Sequence, residues 1–126
     1  MMVLWVAAGG AIGAVGRYLV GAQMLRLMGP NFPWGTFTVN IAGSFAMGLL
    51  AGLLAFRYNI SPEWRAFLTV GVLGGFTTFS AFALDVSVMF ERKDQALAGL
   101  YIAGSVGLAV AALFAGLALA RVMFAS

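Results

Sequence analysis

The sequence predicts an all-α membrane protein with four transmembrane helices. Three observations carry that expectation. Of the 126 residues, 63% are hydrophobic and 9% charged, whereas a soluble domain carries about a quarter charged residues. Mean hydropathy is +1.01, so a water-facing surface cannot be built and lipid is the natural solvent. Four stretches approach or exceed the ~20 apolar residues that a spanning helix needs, with only short connections between them.

The first helix is expected over 3–25, with Arg17 as its single charge. It lacks a basic leading segment and runs long before any small-residue cleavage pattern, so it reads as a retained helix and not a signal peptide. The connection 26–33 carries the turn pair Gly29-Pro30. The second helix, 34–56, is uncharged. After a short link at 57–61, Ser61-Pro62-Glu63 supplies an N-cap, a first-turn proline and a first-turn acid. The third helix is expected over 64–90, with an uncharged centre at 66–84 and Arg65 and Asp85 on its flanks. The loop Glu91-Arg92-Lys93-Asp94 leads to the fourth helix, 95–121, uncharged until Arg121. Trp5, Trp34, Trp64, Tyr18 and Tyr58 mostly fall near segment ends, as interfacial aromatics do. Residues 1–126 are expected to form a single transmembrane domain.

Four helices place both termini on one side. That side holds Arg57, Arg65 and Arg121, and the other holds Arg26, Arg92 and Lys93, three against three. A Lys/Arg excess normally sets orientation. With no excess the chain is expected to insert both ways, and two opposed copies to pair about a two-fold axis in the membrane plane, a two-chain form of an inverted repeat. The alternative is that short loops mislead the count, or that Arg17 tips it. Gly9/Gly13, Ser44/Gly48/Gly52 and Gly107/Ala111/Ala115 form small-xxx-small series, which let helices pack closely in lipid.

Cys and His are absent, which removes disulfides, thiolate chemistry, imidazole metal sites and the commonest general base. The net charge of +3 comes from few acids, with no basic run to bind nucleic acid. No nucleophile–base pair or ligand cluster is present, so an enzyme is not expected. The centres of the spans carry no Asp, Glu, His or Lys, the groups on which proton-coupled exporters depend. That favours passive conduction over a coupled small-cation or drug exporter. An assembly protein without transport is the remaining alternative.

Candidate functional residues are polar groups that hydrocarbon would penalise. Thr36, Asn40 and Ser44 lie four apart and form one stripe on the second helix. The Asn40 amide has two N–H donors, for an anion or for an interhelical bond. In the third helix Gly74-Gly75-Phe76-Thr77-Thr78-Phe79-Ser80 combines poor helix formers with hydroxyls that can cap a new start. A break there would free carbonyls able to hold a monovalent cation such as Na⁺; a simple kink is the alternative. Phe79 and Phe82 share a helix face, and their ring edges carry positive potential, useful to an anion or merely to packing. Tyr101 and Ser105 put two hydroxyls on one face of the fourth helix. Arg17 either snorkels or caps a carbonyl, or lines a wet vestibule and concentrates anions.

Three stretches then carry a resemblance that spans essentially the whole chain. They are Gly9-Gly10-Ala11-Ile12-Gly13-Ala14-Val15-Gly16-Arg17-Tyr18, then Gly35-Thr36-Phe37-Thr38-Val39-Asn40-Ile41-Ala42-Gly43-Ser44-Phe45, then Gly71-Val72-Leu73-Gly74-Gly75-Phe76-Thr77-Thr78-Phe79-Ser80. With these the sequence resembles the Fluc (CrcB-type) family of bacterial fluoride channels. The resemblance implies a multi-pass protein of the bacterial inner membrane, an antiparallel dual-topology homodimer with two pores, and passive export of toxic cytoplasmic fluoride. It implies that Phe79 and Phe82 line the pore beside Asn40. It also implies that Thr36, Ser80, Tyr101 and Ser105 add polar contacts, and that carbonyls of Gly74 and Thr77 from both subunits hold a central structural Na⁺.

Overall fold

The computed structural model describes residues 1–56 and 58–124; Arg57, one of the cations in the charge balance, lies outside them. The described chain is helical: α1 (Met2–Met28), α2 (Trp34–Phe56), α3 (Pro62–Ala66), a π-helical stretch (Phe67–Leu73), α4 (Gly74–Phe76), α5 (Ser80–Glu91) and α6 (Gln95–Phe124). The elements from α3 to α5 follow one another as a single apolar span, Pro62–Glu91, so four spans are long and apolar enough to cross a membrane. With 27 residues in α1 and 1.5 Å of rise per residue, that helix is about 40 Å long against a hydrocarbon core of ~30 Å.

Local chemistry fixes the helix ends. Gly29 takes φ +85° as α1 stops, a backbone that side chains disfavour, and its N–H caps the Leu25 carbonyl at 2.9 Å. Ser61 Oγ accepts the Trp64 N–H at 3.2 Å, with Pro62 in the first turn, and so starts α3.

Helix contacts depend on missing side chains. The most extensive pair is α2 on α6, and a Cβ added at Gly48 would strike the Leu113 carbonyl. The third span lies on α1 through Gly9 and Gly13. Trp5, Trp64 and Phe67 cluster at one end of that pair, with centroids 5.4 to 5.9 Å apart. A second cluster of Phe32, Trp34, Phe37 and Tyr101 sits where α2 and α6 begin. The buried core is small, centred on Phe82, Met89, Ala98 and Tyr101. Large apolar side chains such as Ile12, Leu100 and Phe114 stay exposed on the single chain; lipid or another chain must cover them.

Candidate functional site

Helical backbone stops at Phe76 and resumes at Ser80, and Thr77 between them is extended at φ −86°, ψ 159°. This frees backbone groups that an apolar medium penalises. Asn40 of α2 takes up two of them. Its Oδ1 accepts the Thr78 N–H at 2.8 Å, and its Nδ2 donates to the Thr78 carbonyl at 3.0 Å. The amide thus pairs with backbone as another strand would. Thr77 Oγ1 donates to the Leu73 carbonyl at 3.0 Å, and Thr78 Oγ1 accepts the Ala81 N–H at 3.2 Å. Arg17 Nε donates to the Gly75 carbonyl at 3.1 Å, so Arg17 holds a carbonyl next to the interruption. Gly43 lets α2 approach this closely, since a Cβ there would collide with the Thr77 methyl. Among the described residues no hydrogen bond reaches the carbonyl oxygens of Gly74 or Thr77.

Beside the interruption runs an open groove of about 500 Å³, lined by Asn40, Thr78, Phe79, Phe82 and Ser105 among others. Its polar groups carry no formal charge. One Asn40 N–H goes to Thr78; an amide has two, so one donor remains. Ser105 is 5% exposed, and its Oγ is the buried side-chain polar atom without a hydrogen-bond partner among the described residues. The Phe79 and Phe82 rings lie 5.7 Å apart at 44°. Phe82 is 8% exposed and Phe79 78%, so Phe79 stands at the groove's open rim.

A second cavity, of about 350 Å³, opens near the first connection and is lined by Thr36, Asp85, Arg92, Phe32 and Trp34 among others. Tyr101 is fully buried, its hydroxyl donating to Asp85 Oδ2 at 2.9 Å. The Tyr101 ring sits 5.0 Å from Phe82 of the groove, so Tyr101 touches lining residues of both cavities. The structure therefore gathers Asn40, Phe79, Phe82 and Ser105 around the groove, with Gly74 and Thr77 on its wall. Thr36 lines the second cavity, whereas Tyr101 is fully buried and lines neither. Ser80 is exposed and lines neither. Two residues join the set that sequence reasoning passed over, Thr78 and Asp85. Asp85 lies within α5 and faces Tyr101; its place in an otherwise apolar span was the available signal.

The family model described as "CrcB-like protein, Camphor Resistance (CrcB)" matches residues 4–117. The chain belongs to the CrcB-like family. Among curated relatives of this family, a protein of Phenylobacterium zucineum is 61% identical over 123 residues, covering 97% of each chain. One from Agrobacterium fabrum is 60% identical over 119 residues, 94% of this chain and 95% of the relative. One from Caulobacter vibrioides is 58% identical over 123 residues, 97% of each. Each of the three relatives bears the name fluoride-specific ion channel FluC. With four spans of this length, the CrcB-like chain is a multi-pass membrane protein.

Chemically, the groove of this CrcB-like chain offers hydrogen-bond donors and aromatic rings with no ammonium, guanidinium or carboxylate among its lining residues. Such a surface replaces part of an anion's hydration without the deep well that a bare cationic side chain creates.

Proposed function

We propose that the protein is a fluoride-selective ion channel through which cytoplasmic fluoride leaves the cell passively. The observation that carries the reading is the groove itself: an Asn40 amide, the Phe79–Phe82 ring pair and an unpartnered Ser105 hydroxyl on one continuous wall. The names of the relatives favour the same ion. Desolvating a small anion in a dry medium costs tens of kcal/mol. The path must return much of that through donors and still release the ion. Neutral N–H, O–H and ring edges meet both demands, and a narrow aromatic wall hinders the larger chloride. Hydrogen fluoride enters from acidic surroundings and dissociates inside, so a passive exit in the bacterial inner membrane lowers fluoride toxicity. No reaction is catalysed.

In this reading residues 1–126 form one transmembrane domain, and the interruption at Thr77 lies near mid-membrane. Two copies pair antiparallel as a dual-topology homodimer, each closing the open groove of the other. Phe79, exposed at the rim, then comes to face a pore, and Ser80 gains a place on the path. Thr36 and Tyr101 serve the mouth, and Arg17 borders the vestibule while it holds the Gly75 carbonyl. The unpaired carbonyls of Gly74 and Thr77 are neutral oxygen donors suited to a hard cation; those of both copies would hold a structural Na⁺, which supplies fixed positive charge near the pores.

Reconstitution tests the reading. Liposomes carrying the protein should release fluoride electrogenically and retain chloride; equal release of both ions rejects selectivity, and background leakage of both rejects a channel. The chain has no native cysteine, so a single cysteine at Asn59 should label from both faces of a sealed membrane. Labelling from one face alone rejects dual topology.

A further inference from the structure

Phe32 lies in the turn between α1 and α2, outside every helix. Pro33 follows it and confines its backbone to extended conformations. Its carbonyl accepts the Trp34 N–H at 2.8 Å, a second restraint on its backbone. Its ring meets three others: Trp34 at 4.6 Å, Phe37 at 5.6 Å and 75°, and Tyr101 at 5.2 Å and 83°. The last two are edge-to-face, the favoured geometry for aromatic pairs. Tyr101 in turn contacts Phe82 at 5.0 Å and donates to Asp85, and Phe82 contacts Phe79. A continuous row of rings thus runs from the turn to the groove. Phe32 also lines both the charged cavity and an apolar hollow bounded by Leu97, Leu100 and Gly104, and so walls one from the other.

The geometry points to Phe32 as a positioning residue that sets ion selectivity through Tyr101, an inference that rests on the channel reading above. Phe32 buttresses the Tyr101 ring edge-to-face, and the same ring packs on Phe82. With the buttress in place, Tyr101 keeps its hydroxyl on Asp85 and its ring against Phe82, and the aromatic wall keeps its width. Without it, Tyr101 moves into the vacated space, Phe82 follows, and the wall loosens enough for a larger halide.

The test compares fluoride and chloride release from liposomes carrying wild type, Phe32→Ala, Phe32→Leu or Phe32→Tyr. Both rates are corrected for leakage from protein-free liposomes, so their ratio does not depend on how much protein folds. Phe32→Ala and Phe32→Leu should lower the fluoride-to-chloride ratio about threefold to tenfold, the worth of an edge-to-face pair, while Phe32→Tyr holds it within about twofold. Phe32→Leu keeps apolar bulk, so it reports on the ring if the alanine variant does not fold. A purely structural Phe32 would lower both rates in proportion; an unchanged ratio in the leucine variant, beside a selective wild type, overturns the inference. A wild type that releases no fluoride overturns the channel reading, and this inference with it.

Discussion

The groove and the cavity differ in one respect that matters for an ion path. The groove beside Asn40 is lined by neutral groups, whereas the cavity beside Thr36 holds Asp85 and Arg92. Phe82 lines the groove and packs on Tyr101, whose hydroxyl holds Asp85 of the cavity. The difference teaches how a chain with 9% charged residues distributes polarity. Apart from Arg17, charges gather toward the ends of the spans. Along the groove, polarity comes from amides, hydroxyls and backbone, because a full charge there would cost too much to bury or bind an ion too long. Arg17, the guanidinium beside the interruption, is turned onto the Gly75 carbonyl and does not line the groove.

The sharpest way to break the comparison is to put a charge into the neutral groove. Asn40→Asp keeps an acceptor for the Thr78 N–H but removes the donor to the Thr78 carbonyl and sets two oxygens against each other. A poorly solvated carboxylate beside the path repels the anion; a barrier raised by about 3 kcal/mol slows fluoride flux roughly a hundredfold, with the proposed dimer still seen by size-exclusion in detergent. Flux within a few-fold of wild type would remove Asn40 from the path. Next, Phe82→Ile and Phe79→Ile delete ring edges at the wall. Each should slow fluoride release about tenfold. Because Phe79 is mostly exposed and Phe82 buried, only Phe82→Ile should also lower the melting temperature. Equal thermal losses in the two variants would contradict the assigned rim and wall positions. The smallest effect belongs to the charged cavity. Asp85→Asn preserves an acceptor for the Tyr101 hydroxyl, so flux should change less than about threefold. A loss as large as that of Asn40→Asp would place Asp85 on the same footing as the groove.

The four spans were legible because they need only composition and length, and the α3 start because Ser61-Pro62 signals it locally. The stripe of Thr36, Asn40 and Ser44 was equally visible, but not its division: Thr36 faces one cavity and Asn40 the other. Helical spacing fixes a face and says nothing of what crosses above it. The reciprocal pairing of Asn40 with Thr78 joins residues far apart in sequence, and periodicity carries no such information. Asp85 read as a flank because apolar windows treat a lone acid as an edge; its partner Tyr101 stands on another helix. Nor does any residue type announce the π-helical stretch Phe67–Leu73, which packs on α1.

The claim that fluoride moves along the neutral groove is tested most directly at Ser105, whose buried hydroxyl lines the groove and has no hydrogen-bond partner among the described residues. Ser105→Ala removes that donor without adding bulk, so fluoride release from liposomes should slow about threefold to tenfold, the worth of one hydrogen bond, with no loss of melting temperature. Fluoride release equal to that of wild type would contradict the account.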